Sequence, residues 1–269
     1  MKAQIDRANA FASLHVAGEP IVLPNAWDAA SARIVAAAGA RAVATTSAGV
    51  AWALGHPDGN RLAREDALHA LARIARSVTL PVSADIEQGY GELPDDVGRT
   101  VAACIDAGIV GVNIEDSLRP VAEQQLRITA ARTAAEGEGV PLFINARIDT
   151  HRLGDSGSDA WLDETITRAR AYEQAGADGV FVLGALRAET IRALVTATAL
   201  PVNVAFGPGT LPIVKLAEAG AARISAGSSI AEAAYSLVEE WAAKMFDKTD
   251  TGDLPAPGLS WAELNRLVS

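Results

Sequence analysis

The sequence predicts an α/β fold, a (β/α)8 TIM-type barrel carrying an N-terminal helix and a C-terminal helical extension, on three observations. Four stretches share one shape: AAAGARAVATT (36–46), DAGIVGVNIE (106–115), QAGADGVFVL (174–183) and EAGAARISAG (218–227). Each is a helix tail, an Ala-Gly stop and a short apolar strand. Gly just past a helix end supplies the left-handed cap, and the apolar run behind it suits a strand buried on both faces. A second pattern alternates with the first: PIVLPNA (20–26), LPVSAD (80–85), VPLFINA (140–146) and LPVNVAF (200–206) open on or near proline, which the first strand position tolerates. The strand count then closes at eight, which the barrel requires. An open doubly wound sheet competes, but it usually announces itself with G-x-G-x-x-G after the first strand, where this chain has PNAWDAAS.

In chain order, a helix is expected over about 2–17, ahead of the barrel. Strands follow near 20–24, 41–46, 80–86, 109–115, 140–147, 178–183, 200–205 and 222–226. Ala-rich amphipathic segments such as Arg61–Ser77, Pro94–Ala107, Asp159–Ala175 and Arg187–Thr198 supply helices between them. Residues 1–246 form the barrel domain in this scheme. Residues 247–269 form a Pro/Gly-rich linker, TDTGDLPAPGLS, and a short amphipathic docking segment, WAELNRLV, which could reach a neighbouring subunit.

Composition narrows the functions. The net charge of -10 argues against a nucleic-acid or anionic-membrane surface. No apolar run reaches the roughly 18 residues that cross a bilayer, and the N-terminus lacks a signal-peptide core. Cys104 is the single cysteine, so no internal disulfide forms and a reducing cytoplasm is the expected home. It falls mid-helix as a core thiol. His15, His69 and His151 are expected at the periphery, and Trp27 and Trp52 in packing roles.

Chemistry in this fold sits at the C-terminal ends of the strands. There the sequence places Asn25, Trp27 and Asp28; Thr45, Thr46 and Ser47; Asp85 and Glu87; Asn113, Glu115 and Asp116; Asn145, Arg147 and Asp149; Asn203; and Ser225. Residues two apart on a strand point the same way, so Asp85 and Glu87 are expected side by side. Adjacent strands lie about 4.8 Å apart, which brings Glu115 into the same volume. Three carboxylates there repel unless a hard cation separates them. Mg2+ suits them, because it takes one or two carboxylates directly and reaches the rest through water. The chain has neither His-x-His nor Cys-x-x-Cys, which argues against zinc. Arg147 is expected across from the metal, gripping a substrate carboxylate or phosphonate. Asp28 is expected to cap a helix. For Asp116 and Asp149, helix capping and ion pairing compete with a role in the site, and Asn203 and Ser225 could be bonded within the barrel wall.

PNAWDAASA, TTSAGVAWALGHPDG, ADIEQGYGE, GVNIEDS, NARIDT and RISAG, in this order, resemble the isocitrate lyase/phosphoenolpyruvate mutase superfamily over about residues 20–245. The resemblance implies a (β/α)8 barrel that binds Mg2+ and a small anionic 2-oxo acid. It also implies a homodimer or homotetramer with a helix exchanged between subunits. It makes Asp85 the direct metal ligand, with Glu87 and Glu115 acting through water. Ser47, Ala48 and Gly49 match the segment holding the substrate's carboxylate and carbonyl, although Gly is more usual where Ala48 stands. Arg147 matches the arginine on the distal anionic group, and Asp58, in GHPDG, an aspartate on the gating loop.

The departures bear on the reaction. The Lys-[Lys/Arg]-Cys-Gly-His loop of the lyases is SLRPVAEQQ here, without Cys, His or Lys. The phosphonopyruvate enzymes' Pro-Lys-x-[Asn/Thr] loop keeps only Pro120, and a glutamate of the lyases is Leu183. The expected activity is a carbon–carbon lyase, cleaving or forming a bond beside the carbonyl of a 2-oxo acid through a metal-stabilised enolate. Glu123, Arg119 or a water then serves as acid or base, and the loop over Ser117–Gln125 is expected to be mobile or differently folded without substrate. Asn203 completes the expected substrate contacts. P–C bond chemistry is the alternative within enzymes, and a non-catalytic 2-oxo-acid binding module is the alternative outside them.

Overall fold

The structure is a computed structural model that describes residues 2–154, 158–246 and 258–269. Proline explains its one departure from a count of eight. The first strand is split into β1 (Ile21–Leu23) and β2 (Asn25–Ala26) at Pro24, which has no N–H for a ladder. The two pieces pair with different neighbours. They are followed by β3 (Val43–Thr45), β4 (Val82–Asp85), β5 (Gly111–Glu115), β6 (Phe143–Ile148), β7 (Gly179–Val182), β8 (Val202–Ala205) and β9 (Arg223–Ser225). All pair in parallel, β1 with β9 and β2 with β3. The split strand thus joins the two edges, and nine pieces fill eight positions of a nearly closed barrel.

Between the strands run α2 (Ala29–Ala37), α3 (Ser47–Ala53), α4 (Arg64–Ser77), α5 (Pro94–Asp106), α6 (Val121–Gly137), α7 (Asp159–Gln174), α8 (Ala188–Ala197), α9 (Ile213–Glu218) and α10 (Ser229–Phe246). Local chemistry starts and stops them as expected. Asp28 caps α2 through Ser31 N–H at 2.7 Å, and Pro94 opens α5, where a missing N–H costs nothing. Gly108, at φ 93°, takes the left-handed turn that ends α5 and feeds β5. Cys104 is fully buried in α5.

The N-terminal helix α1 (Lys2–Ser13) seals the end of the barrel where the strands begin. Its Phe11 is fully buried and meets Phe143 edge-on at 5.6 Å. A Cβ on residue 111 would come within 2.7 Å of that ring, so Gly111 makes room for the plug. His15 belongs to the same plug, contrary to the peripheral expectation. It stacks on Phe143 at 4.0 Å, and burial pulls its pKa down to about 3.

At the other end of the chain, the expected linker over 247–257 lies outside the described residues. The docking segment forms α11 (Trp261–Val268), which rests on α2 of its own chain, where Arg33 Nη1 donates to Leu267 O at 3.3 Å. Among the described residues, no helix is long and apolar enough to cross a membrane.

Candidate active site

Strand register decides which polar side chains meet. Asp85 pairs with Asn113 and Asn113 with Asn145, which sets one polar layer across β4, β5 and β6. Two residues further along, Glu115 pairs with Arg147 and sets the next layer, at the mouth.

Asp85 ends its strand with its N–H bonded to Thr45 Oγ1 at 2.9 Å and Asn113 Nδ2 3.4 Å from Oδ2. Glu87 does not continue beside it as on a strand. It sits at φ 50°, a left-handed conformation rare for a residue with a side chain. That turn folds its carboxylate inward to 1% exposure. Oε2 accepts the Asn60 backbone N–H, while Oε1 is buried without a well-formed hydrogen bond, the Tyr90 hydroxyl facing the same carboxylate. The Glu87 N–H donates to Asp85 Oδ1 at 3.1 Å, so the two acids stay linked. Glu115 accepts from Ser117 Oγ at 2.8 Å and is 7% exposed.

Burial raises all three carboxyl pKa values, because it disfavours the charged form. Glu87 is pushed up to about 7, with Asp58, Asp85 and Glu115 adding to the effect of burial against the Asn60 N–H. Asp85 and Glu115 are raised too, with Arg147 as the largest opposing influence on each. The three acids therefore act on one another electrostatically.

Arg147 is placed differently from expectation. Its Nη1 lies 2.9 Å from Glu115 Oε2 and its Nε donates to Asp149 Oδ1 at 2.8 Å. The in-register pairing with Glu115 engages the guanidinium on the acids themselves, rather than holding it across from them. Asp149 and Asp116 are structural. Asp149 Oδ2 takes the Ser117 N–H at 3.1 Å. Asp116 is fully buried and receives Arg168 Nη1 at 3.0 Å, Tyr172 Oη at 2.7 Å and the backbone N–H groups of Leu118 and Asp149.

The remaining candidates divide. Ser47, Ala48 and Gly49 are buried in the first turn of α3, where N–H groups have no intrahelical acceptor. A side chain at residue 49 would meet Trp27 Cβ at 2.7 Å, so the close approach of Trp27 requires Gly49. Asp58 is exposed on the loop that supplies Asn60, and its charge acts on both Asp85 and Glu87. Asn203 is buried in the barrel wall, accepting from Ser225 Oγ at 3.2 Å, and no hydrogen bond links it to the acids. Glu123 lies in the first turn of α6, bonded to Arg119 Nη1 at 2.8 Å. Of the stretch Ser117–Gln125, residues 121–125 are helical and 117–120 form a short turn whose N–H groups reach Asp149 and Asp116.

Two arginines, Arg223 and Arg127, escaped the sequence reading. Arg223, on β9, is fully buried between Phe11, 5.9 Å below, and Asn113 Oδ1, 3.2 Å from Nη2. Burial pulls its pKa down to about 10. A charge inside the apolar run AARIS was the signal for it. Arg127, also fully buried, donates to the carbonyls of Gln88, Gly91 and Glu92, bracing the loop after β4. Arg119 donates to Gln88 Oε1.

Residues 11–246 match the family described as Phosphoenolpyruvate phosphomutase. An uncharacterised protein of Mycobacterium tuberculosis H37Rv is 42% identical over 218 residues, 81% of each chain. Oxaloacetate decarboxylase of Bradyrhizobium sp. BTAi1 is 36% identical over 166 residues, 58% of this chain and 55% of its own. A solved structure from Burkholderia cenocepacia J2315, with a provisional phosphonomutase name, is 44% identical. It superimposes with a TM-score of 0.86 over 90% of this chain and 99% of its own. The chain belongs to the phosphoenolpyruvate phosphomutase family, within the isocitrate lyase/phosphoenolpyruvate mutase superfamily.

Proposed function

We propose that this chain is a Mg2+-dependent enzyme that cleaves or forms a carbon–carbon bond beside the carbonyl of a small 2-oxo acid. One observation carries the reading: Asp85, Glu87 and Glu115 are held in one field at the barrel mouth, and Glu87 Oε1 is buried without a well-formed hydrogen bond, the Tyr90 hydroxyl facing the same carboxylate. An acceptor left without a good partner in the interior is costly, and a hydrated cation relieves it.

The donor set fits Mg2+ in one form. Its donors are all oxygens, which a hard cation prefers. No three His, Cys, Asp or Glu groups among the described residues converge closely enough to hold an ion jointly. The reading therefore takes Asp85 alone as the direct ligand, with Glu87 and Glu115 reaching the ion through water. Bound there, Mg2+ would act as a Lewis acid on the substrate carbonyl.

The chain's own residues supply the rest. The first-turn N–H groups of Ser47–Gly49 orient the substrate's carboxylate, which the positive end of α3 favours. Arg147 neutralises Glu115 and Asp149, so the mouth tolerates a further anion. The Asn60 N–H steadies Glu87 from the loop that carries Asp58, and Glu123, beside Arg119, is the proton-transfer candidate. Likeness to oxaloacetate decarboxylase supports C–C chemistry. The provisionally named phosphonomutase favours P–C chemistry as the second reading.

A panel of 2-oxo, 2-hydroxy and phosphono acids, assayed for product release with Mg2+ and with EDTA, tests the proposal. Mg2+-dependent formation of a 2-oxo product such as pyruvate supports it. Tight binding without turnover of any member supports a binding module instead. We further propose a homodimer or homotetramer in the cytoplasm, with the segment after residue 246 as a separate docking element.

A further inference from the structure

Arg223 reaches across the barrel. It stands on β9, yet its Nη2 donates to Asn113 Oδ1 on β5 at 3.2 Å, and β8, β7 and β6 stand between those two strands in the sheet. The side chain is 1% exposed and lies over Phe11 at 5.9 Å. No ion pair among the described residues includes it, and its Nε and Nη1 are buried without partners. A barrel interior filled for packing alone takes branched aliphatic side chains. A buried charge without a counter-ion is costly there, which calls for a task at its far end.

That end is an amide whose orientation matters. Asn113 Oδ1 also accepts from Asn145 Nδ2 at 2.9 Å, and Asn113 Nδ2 lies 3.4 Å from Asp85 Oδ2. Asn145, Asn113 and Asp85 thus form one row across β6, β5 and β4. Each amide has a donor end and an acceptor end, so the two can turn over together and keep their mutual bond. A guanidinium has no such freedom, because it only donates. With Arg223 aimed at it, the Asn113 oxygen faces the arginine and the NH2 group faces Asp85. An ionised Asp85 only accepts, so the row runs from an obligate donor to an obligate acceptor. The other oxygen of Asp85, Oδ1, takes the Glu87 N–H at 3.1 Å. Both carboxylate oxygens are held, and each keeps a lone pair for an ion.

We propose that Arg223 is a positioning residue for the metal site: through Asn113 it fixes how the Asp85 carboxylate is presented to a divalent cation. The inference rests on the reading of Asp85 as the direct Mg2+ ligand. Hydrogen bonds behind a metal ligand orient it, and losing one weakens metal binding about 10–100-fold. The charge of the arginine acts the other way. A cation behind Asp85 repels Mg2+ through space, so removal of the charge alone tightens binding. The sign of the change therefore separates positioning from charge.

Calorimetric titration of Mg2+ alone, with thermal melts to confirm folding, tests the proposal on the full chain. The variants are Arg223→Met, Arg223→Lys, Asn113→Ala and the double variant Arg223→Met with Asn113→Ala. Arg223→Met and Asn113→Ala should each weaken Mg2+ binding about 10–100-fold. Arg223→Lys, which keeps a donor and the charge, should recover part of that loss. The double variant should bind within about twofold of the weaker single variant, because both changes break the same row. Mg2+ affinity in Arg223→Met that equals or exceeds wild type overturns the proposal, even if the melting temperature falls, since that marks a structural or purely electrostatic role. Losses that multiply in the double variant overturn it as well, because Arg223 then acts without Asn113. Where Arg223→Met does not fold, Asn113→Ala decides: wild-type affinity there breaks the row and sinks the proposal. Wild-type protein that binds no Mg2+ defeats instead the underlying metal reading, and this inference with it.

Discussion

Arg147 Nη1 and Glu115 Oε2 lie 2.9 Å apart at the mouth of the barrel, with the arginine's Nε bonded to Asp149. A largely buried guanidinium thus holds two buried acids. Removing one member of a buried pair leaves the other uncompensated, at a cost of about 3–5 kcal/mol. Arg147→Met should therefore lower thermal stability by several degrees and enlarge the stabilisation that Mg2+ gives, since a cation replaces the lost charge. Thermal melts with and without Mg2+ check both effects. An unchanged melting temperature would mean that the pair contributes nothing.

Glu87 sets a pH dependence. Its folded pKa, raised to about 7 from 4.5, means the folded chain binds more protons than the unfolded one between those values. Metal-free stability should then fall as pH rises through that window, by at most about 3 kcal/mol from this group. Glu87→Gln removes the charge, so the variant should match wild type near pH 4 and exceed it near pH 8. Urea titrations at the two pH values measure the difference. A parallel pair of curves would contradict the raised pKa.

Arg127 tests the brace beneath the loop after β4. Its three carbonyl acceptors span Gln88 to Glu92. Arg127→Met keeps much of the length and loses every donor, which should cost about 3 kcal/mol. Limited proteolysis should then nick the chain between residues 88 and 92. Intact resistance there would assign the loop's rigidity elsewhere, to Thr100, whose Oγ1 donates to Gly89 O at 2.8 Å.

Local pattern made the barrel legible. The Ala-Gly stops and proline-opened strands announced every barrel position, and the strand ends singled out Asp85, Glu87 and Glu115 as candidates, although Glu87 is not the strand neighbour of Asp85 that a two-residue spacing implied. What stayed hidden depends on contacts distant in sequence. The engagement of Arg147 by Glu115 comes from the register of β6 on β5, which no local motif encodes. The inward turn at Glu87 places a non-glycine residue in the left-handed region, which its residue type does not announce. His15 entered the core because α1 plugs the barrel, a tertiary event. Arg223 was visible as a charge in an apolar strand, but its neighbours Phe11 and Asn113 lie more than a hundred residues away.

The central claim is that the mouth acids hold a divalent cation through Asp85, and calorimetric titration of Mg2+ into wild type, Asp85→Asn and Glu87→Gln tests it most directly. The account predicts saturable binding by wild type, no measurable binding by Asp85→Asn, and binding by Glu87→Gln weakened about 10–100-fold, as expected for a partner acting through water. Asp85→Asn binding Mg2+ as tightly as wild type would contradict it and leave the three acids a structural charge cluster.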